Sequence, residues 1–233
     1  MNRDVFLVVE GPTEQLFVER VLAPCLSPSG LHFHATQIPN RGGRGGDVRF
    51  ERAAKSVSNF LKQRRDTFVG TFFDYYGLKE WPRLEEVHDM NGPSPADIAN
   101  VLNEAATAEL TARLPDIDVR GRFFPFLAVH EFEALLFSAP TKLSSASGIP
   151  EPLIQAALEE AGVPERIDRS PETAPSKRLA AWSKGQYGKT TTGIVAAQSI
   201  GIPAMRAACP NFDTWLNLIE HSMLRKGESH GST

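Results

Sequence analysis

The stretch that most constrains this chain is Val5-Phe6-Leu7-Val8-Val9-Glu10-Gly11-Pro12-Thr13-Glu14, where a run of five apolar residues stops at a carboxylate, a glycine and a proline. A continuous apolar run bounded by polar residues predicts a buried central strand, the kind that parallel sheets covered by helices contain. Glu10 then sits at the carboxyl end of that strand. Gly11 permits a tight turn and Pro12 with Thr13 suits a helix start, so residues 14–22 are expected to return along the sheet as a helix. Ligands of open α/β sheets gather outside the carboxyl ends of the strands. Glu10 is therefore a candidate site residue, and Glu14, one helical turn on, faces the same crevice. Taken alone, the stretch fits equally well a strand-end carboxylate that accepts backbone hydrogen bonds and a first-turn acid favoured by the helix dipole.

Two later runs repeat the pattern. Phe68-Val69-Gly70-Thr71-Phe72-Phe73 ends in Asp74, followed by Tyr75-Tyr76-Gly77. Phe123-Phe124-Pro125-Phe126-Leu127-Ala128-Val129 ends in His130-Glu131-Phe132-Glu133, and its proline predicts an edge strand or a bulge. If the first two strands are neighbours in a parallel sheet, Glu10 and Asp74 meet at one edge, and carboxylates brought together need a cation or a shared proton. Mg²⁺ or Mn²⁺ is the natural partner of oxygen ligands with no thiolates in view. Helical geometry over residues 130–133 would put His130 and Glu133 on one face and Glu131 about 100° from either neighbour, aiming one or two of them into the crevice.

The most basic part of the chain lies between these runs. Arg41 and Arg44 stand in the glycine-rich loop Pro39-Asn40-Arg41-Gly42-Gly43-Arg44-Gly45-Gly46-Asp47, and a helix expected over residues 48–65 adds Arg49, Arg52, Lys55, Lys62, Arg64 and Arg65. Arg41, Arg44 and Arg49 are candidates for contact with a nucleic-acid backbone, at even weight with a solvated helix face and a plain connection. A net charge of −3 and a pI of about 6.1 exclude a generally basic nucleic-acid binder while leaving room for such a local patch. His32 and His34 share a strand face over residues 31–38, but with no third ligand nearby they read as half-exposed strand histidines. The two cysteines, Cys25 and Cys209, lack any CxxC spacing, so neither a disulfide framework nor a zinc cluster is expected. The five-residue opening run is too short for a signal-peptide core or a membrane span, and the expected location is the cytoplasm, with no membrane anchor.

From residue 139 onward the composition shifts to Pro, Ser, Ala and Gly, then to helical segments separated by prolines. Helices are expected over residues 96–114 and, in this second half, over 152–161, 176–182, 190–200, 205–209 and 212–224. The division is an α/β domain over residues 1–138 and a helical region over 139–233 packed on it. Tyr187-Gly188-Lys189-Thr190 has the ending of a phosphate-binding loop but lacks the upstream glycine and a preceding strand, so no ATP site is read there.

Together, Val8-Val9-Glu10-Gly11-Pro12-Thr13-Glu14, Phe72-Phe73-Asp74-Tyr75-Tyr76-Gly77 and His130-Glu131-Phe132-Glu133-Ala134-Leu135-Leu136-Phe137 resemble a bacterial family of unknown function grouped with the Toprim (topoisomerase-primase) superfamily. Ala174-Pro175-Ser176-Lys177-Arg178 and Cys209-Pro210-Asn211-Phe212-Asp213-Thr214-Trp215-Leu216 extend the likeness over nearly the whole chain. The resemblance implies a doubly wound, mostly parallel sheet that binds Mg²⁺ through a glutamate after the first strand, matched by Glu10, and a DxD after a later one. Asp74 matches the first aspartate, and Tyr76 stands where the second would be. Overcoming-lysogenization-defect-type nucleases are similar, and the likeness implies Glu14 as a second glutamate, Glu131 or Glu133 as later carboxylates, and Lys177 or Lys189 as the catalytic lysine. The implied activity is metal-assisted cleavage of phosphodiester bonds in DNA or RNA, as the effector subunit of an antiphage defence system beside an ATPase partner. The alternative is a non-catalytic interaction module whose acidic crevice holds a structural cation. A nucleotide-binding phosphotransfer enzyme ranks last, because no glycine-rich phosphate cradle follows a strand.

Overall fold

The computed structural model describes residues 2–39, 47–167 and 173–228. Its centre is a four-stranded sheet in the order β2-β1-β4-β6, with β1 at Arg3–Val9, β2 at Leu31–Gln37, β4 at Phe68–Asp74 and β6 at Phe123–Ala128. Every pairing is parallel. The opening apolar run is thus a central strand, buried because both faces of the sheet are covered. Val5, Leu7 and Val9 belong to one core together with Phe68, Phe72, Phe124 and Phe126. Val8, Val69, Phe73, Phe123 and Leu127 belong to the other, as the two-residue period of a strand requires. Pro125 lies in β6, which among the described residues pairs with β4 alone, so it stands on an edge strand, where a missing N–H is tolerated.

The connections wind both ways. Helix α1 (Pro12–Phe17) leaves β1 on the face of the first core, continues as a π-helical turn (Val18–Leu22) and ends in α2 (Ala23–Leu26). Residues 24–29 continue this helical run as α2 and the 3₁₀ turn Ser27–Ser29, with Pro24 just past the π-helical turn, whose last N–H, that of Ala23, reaches back to the Val18 carbonyl. The helix expected over residues 48–65 starts later. Val48–Arg49 is a short strand, β3, paired in parallel with β5 (Leu78–Lys79), and α3 spans Phe50–Gln63 on the second face. After the short helix α4 (Leu84–His88), α5 (Pro95–Arg113) covers the same face and leads to β6. With α1 and α3 on opposite faces and β1 between β2 and β4, the chain changes direction at β1/β4, which opens the crevice at their carboxyl ends.

Residues 139–149 hold a helix that their composition disguised. Pro140 opens α6 (Pro140–Ser147) and Gly148 closes it in the left-handed conformation at φ 69°, so both residues act as start and stop signals. Then follow α7 (Glu151–Ala161), α8 (Pro175–Trp182), the π-helical turn Lys189–Gly193, α9 (Ile194–Ile200), α10 (Ile202–Ala208) and α11 (Pro210–Glu228). Phe212, Trp215, Leu216 and Ile219 of α11 enter the first core. The Trp215 ring lies 4.9 Å from that of Phe126, and its Nε1 donates to the Phe124 carbonyl at 3.0 Å. Among the described residues, no helix is long and apolar enough to cross a membrane.

Candidate acidic site at the carboxyl edge of the sheet

The crevice collects one carboxylate or more from each of three strand ends. Glu10 follows β1 directly, and Val9 is in register with Phe72, two residues before Asp74 at the end of β4. The turn after β4, Tyr75–Gly77, closes on Glu10: a Cβ on Gly77 would lie 2.6 Å from Glu10 Oε2. Glycine at position 77 is what lets the carboxylate lie against that turn. Glu14 is the third residue of α1 and its Oε2 accepts from the Gly11 N–H at 3.0 Å, half of a capping box that fixes a buried acid beside Glu10.

The third strand end folds differently from the helix expected over residues 130–133. Glu131 is extended (φ −147°, ψ 157°), and a 3₁₀ helix, Phe132–Ser138, begins after it. The Phe132 N–H at this helix start donates to Asp74 Oδ1 at 2.9 Å, tying β4 to the segment after β6. Glu131 accepts from the backbone N–H and the Oγ of Ser176, each at 2.8 Å. Glu133 is completely buried and meets Lys189 Nζ at 3.0 Å through Oε1 and at 3.2 Å through Oε2. The same Nζ stands 3.8 Å from Glu131 Oε1.

Five acids around one lysine leave excess negative charge in a water-poor crevice. Burial, and then repulsion from Glu14, Glu133 and Glu10, raise the Asp74 pKa well above the usual carboxylate range. Burial also raises Glu14, with Glu10 adding to it. Glu133 is pushed up to about 7, by burial first, against the pull of Lys189. Burial lowers the Lys189 pKa, but Glu133, Glu131 and Asp74 outweigh it and the ammonium is held charged.

The structure separates the two lysines that the resemblance offered. Lys189 is in the cluster; Lys177 is exposed on α8, one residue past the Ser176 that clamps Glu131. Arg49 is exposed and paired with Asp47 at 3.3 Å and Glu80 at 2.5 Å, so contact with phosphate would compete with two acids. Arg41 and Arg44 lie outside the described residues. His34 pairs with Asp4 at 3.0 Å and His32 lies 3.4 Å from Ser27 Oγ, an ordinary strand role for both. Sequence reasoning missed Ser176, Gly77 and Tyr187. Tyr187 has a buried Oη with no hydrogen-bond partner among the described residues, and burial together with Glu133 and Glu131 raises its pKa. For Ser176 and Gly77 a signal existed in their quoted motifs; for Tyr187 only the tertiary contact reveals it.

All-oxygen donors whose mutual repulsion raises their own pKa values suit a hard divalent cation. Gly77 leaves room for the Glu10 carboxylate that a side chain would fill. Glu14, Asp74, Glu131 and Glu133 nevertheless each meet a protein donor, and among the described residues no three His, Cys, Asp or Glu side chains form a metal-holding group. No curated protein and no solved structure matches the chain. One family model does, described as a domain of unknown function (DUF4276), over residues 9–220. That span takes in all five acids and Lys189, and the chain belongs to the DUF4276 family.

Proposed function

We propose that this chain is a Mg²⁺- or Mn²⁺-dependent phosphodiesterase that cleaves nucleic acid. The observation that carries the reading is the convergence of Glu10, Glu14, Asp74, Glu131 and Glu133 on one charged lysine at the carboxyl edge of a parallel sheet. The resemblance to Toprim sequences supports it. Glu10, Glu14 and Asp74 would hold the cation; the backbone hydrogen bonds at Glu14 and Asp74 use one oxygen of each. Bound there, the ion would supply Lewis-acid polarisation of the phosphoryl group. Lys189, half-exposed, is the group that meets the substrate and offsets charge developing on the phosphoryl oxygens. Glu133 and Glu131 hold its ammonium charged and aimed, and Ser176 fixes Glu131.

Uptake of the ion must displace protons from acids whose pKa values are raised, which gives a readout independent of cleavage. Calorimetric titration with Mn²⁺ in buffers of different ionisation enthalpy should register proton release, absent in Glu10→Gln/Asp74→Asn. Labelled DNA and RNA with Mn²⁺, with and without a co-expressed ATPase partner, should be cut by the parent and not by that double variant. The absence of a three-acid cage favours a second reading, a non-catalytic interaction module held together by its acid–lysine network. Cation binding without cleavage in any combination supports that module with a structural ion. No cation binding removes the ion from both readings.

A further inference from the structure

Beside the acidic cluster lies a groove that the chemistry above leaves unused. His130, next to Glu131, lines a cavity of about 300 Å³ together with Val129, Arg166 and the turn Gly92-Pro93-Ser94-Pro95. At its edge stands Tyr76, 50 % exposed although the strand before it is buried up to Phe73. The ring is held in place. Its Oη is 3.3 Å from His130 Nδ1, the two rings lie 5.9 Å apart at 36°, and Tyr75 backs it at 5.5 Å. Arg166 is exposed, so its guanidinium is the cation of the groove. The start of α5 is already capped, the Asp97 N–H donating to Ser94 Oγ at 3.2 Å and the Ser94 N–H to the Asp97 carboxylate at 3.0 Å, so its N–H groups are not the anion site of the groove.

A pre-oriented exposed aromatic face next to a guanidinium and an imidazole has a definite chemical complement: a planar base joined to a phosphate. The cavity is of the size at which small-ligand sites begin, enough for a single nucleotide unit. We infer that Tyr76, His130 and Arg166 form a subsite for one nucleotide of a single-stranded nucleic acid, the base stacking on Tyr76 and its phosphate meeting Arg166 and His130. A base still stacked in a duplex cannot cover the Tyr76 ring, so the groove selects single strands, DNA or RNA. The subsite deepens the nuclease reading and rests on it only for the position of the cut, since binding needs no chemistry.

The test uses the full chain in EDTA, with fluorescein-labelled oligothymidylate, oligouridylate and a hairpin duplex as probes. Both single strands should bind more tightly than the duplex. Tyr76→Ala should weaken single-strand binding about tenfold, whereas Tyr76→Phe, which keeps the stacking face, should bind within about twofold of the parent. Arg166→Ala should flatten the salt dependence by about 0.7 of a unit. Both positions are solvent-facing, and unchanged thermal melting of the variants separates lost contact from lost fold. Failure of the parent to bind either strand, duplex binding as tight as single-strand binding, or Tyr76→Ala binding like the parent overturns the subsite. Tyr76-dependent binding without any cleavage in Mn²⁺ upholds the subsite and removes the nuclease. Cleavage unaffected by Tyr76→Ala and Arg166→Ala keeps the nuclease and overturns the subsite.

Discussion

Glu133 is buried without solvent contact, yet it shares Lys189 with a second acid, and this fixes how stability responds to pH. Its pKa is about 7 in the fold against an ordinary 4.5, so across that interval the folded chain holds a proton that the unfolded chain has lost. Stability present below the lower value is therefore lost as pH rises through the upper one. Asp74 and Glu14 are shifted in the same direction and add to the slope. Thermal melting should fall steadily between about pH 5 and pH 8, and Glu133→Gln should flatten the fall. Lys189→Met leaves Glu133 buried beside Glu131 without its cation, at a cost of about 1–3 kcal/mol near pH 8 and less near pH 5, where Glu133 keeps its proton. Lys177→Met, on an exposed helix face, should stay within about 0.5 kcal/mol of the parent. Denaturant unfolding of the three variants at both pH values checks all of this. Which lysine serves the acids was not legible in the sequence: Ser176-Lys177 and Gly188-Lys189 are equally basic turns, and only the packing of the π-helical turn Lys189–Gly193 against the sheet edge distinguishes them.

At the scale of elements, the three apolar runs were legible because each is buried on both faces and stops at a charge. Their order in the sheet was not, since all three end alike; Gly70 shows what the order demands. A Cβ there would lie 2.5 Å from the Phe124 carbonyl oxygen and 2.8 Å from Leu7 Cδ2, so β4 can sit between β1 and β6 only with glycine at this position. Gly70→Ala should cost about 1–3 kcal/mol or more, because a backbone carbonyl cannot swing away. Gly77→Ala should behave differently although its clash is as close, for the atom it meets is the far end of the Glu10 side chain. The fold should survive with little change in melting, and Mn²⁺-linked proton release should drop. Equal loss of stability in both variants would mean that Gly77 serves the turn rather than Glu10. Helix α6 is hidden in the composition because Pro140 and Gly148 stand at its ends, where residues that break a helix interior are at home.

Across the whole molecule, the change of composition after residue 138 marks off a helical half, and the cores run through both halves. Phe17, Phe72, Phe126 and Phe132 from the sheet half share one core with Ile194, Met205, Phe212, Trp215 and Ile219 from the helical half. Trp215 also donates to a carbonyl of the edge strand, that of Phe124, at 3.0 Å. The sequence could not reveal this, because an amphipathic helix does not name the surface it covers. The site is divided in the same way, with Glu10, Glu14, Asp74, Glu131 and Glu133 from the first half and Ser176 and Lys189 from the second. Residues 1–138 made alone would expose the phenylalanine face of the sheet, several side chains each contributing about 1.5–3 kcal/mol when buried, against a total stability of only about 5–15 kcal/mol for an ordinary domain. That fragment should be insoluble or lack a cooperative melting transition. Co-expression with residues 139–233 should recover soluble protein that carries both pieces and releases protons on Mn²⁺ addition. A fragment 1–138 that melts cooperatively by itself would show that the face is covered by other means and that the helical half is dispensable to the sheet.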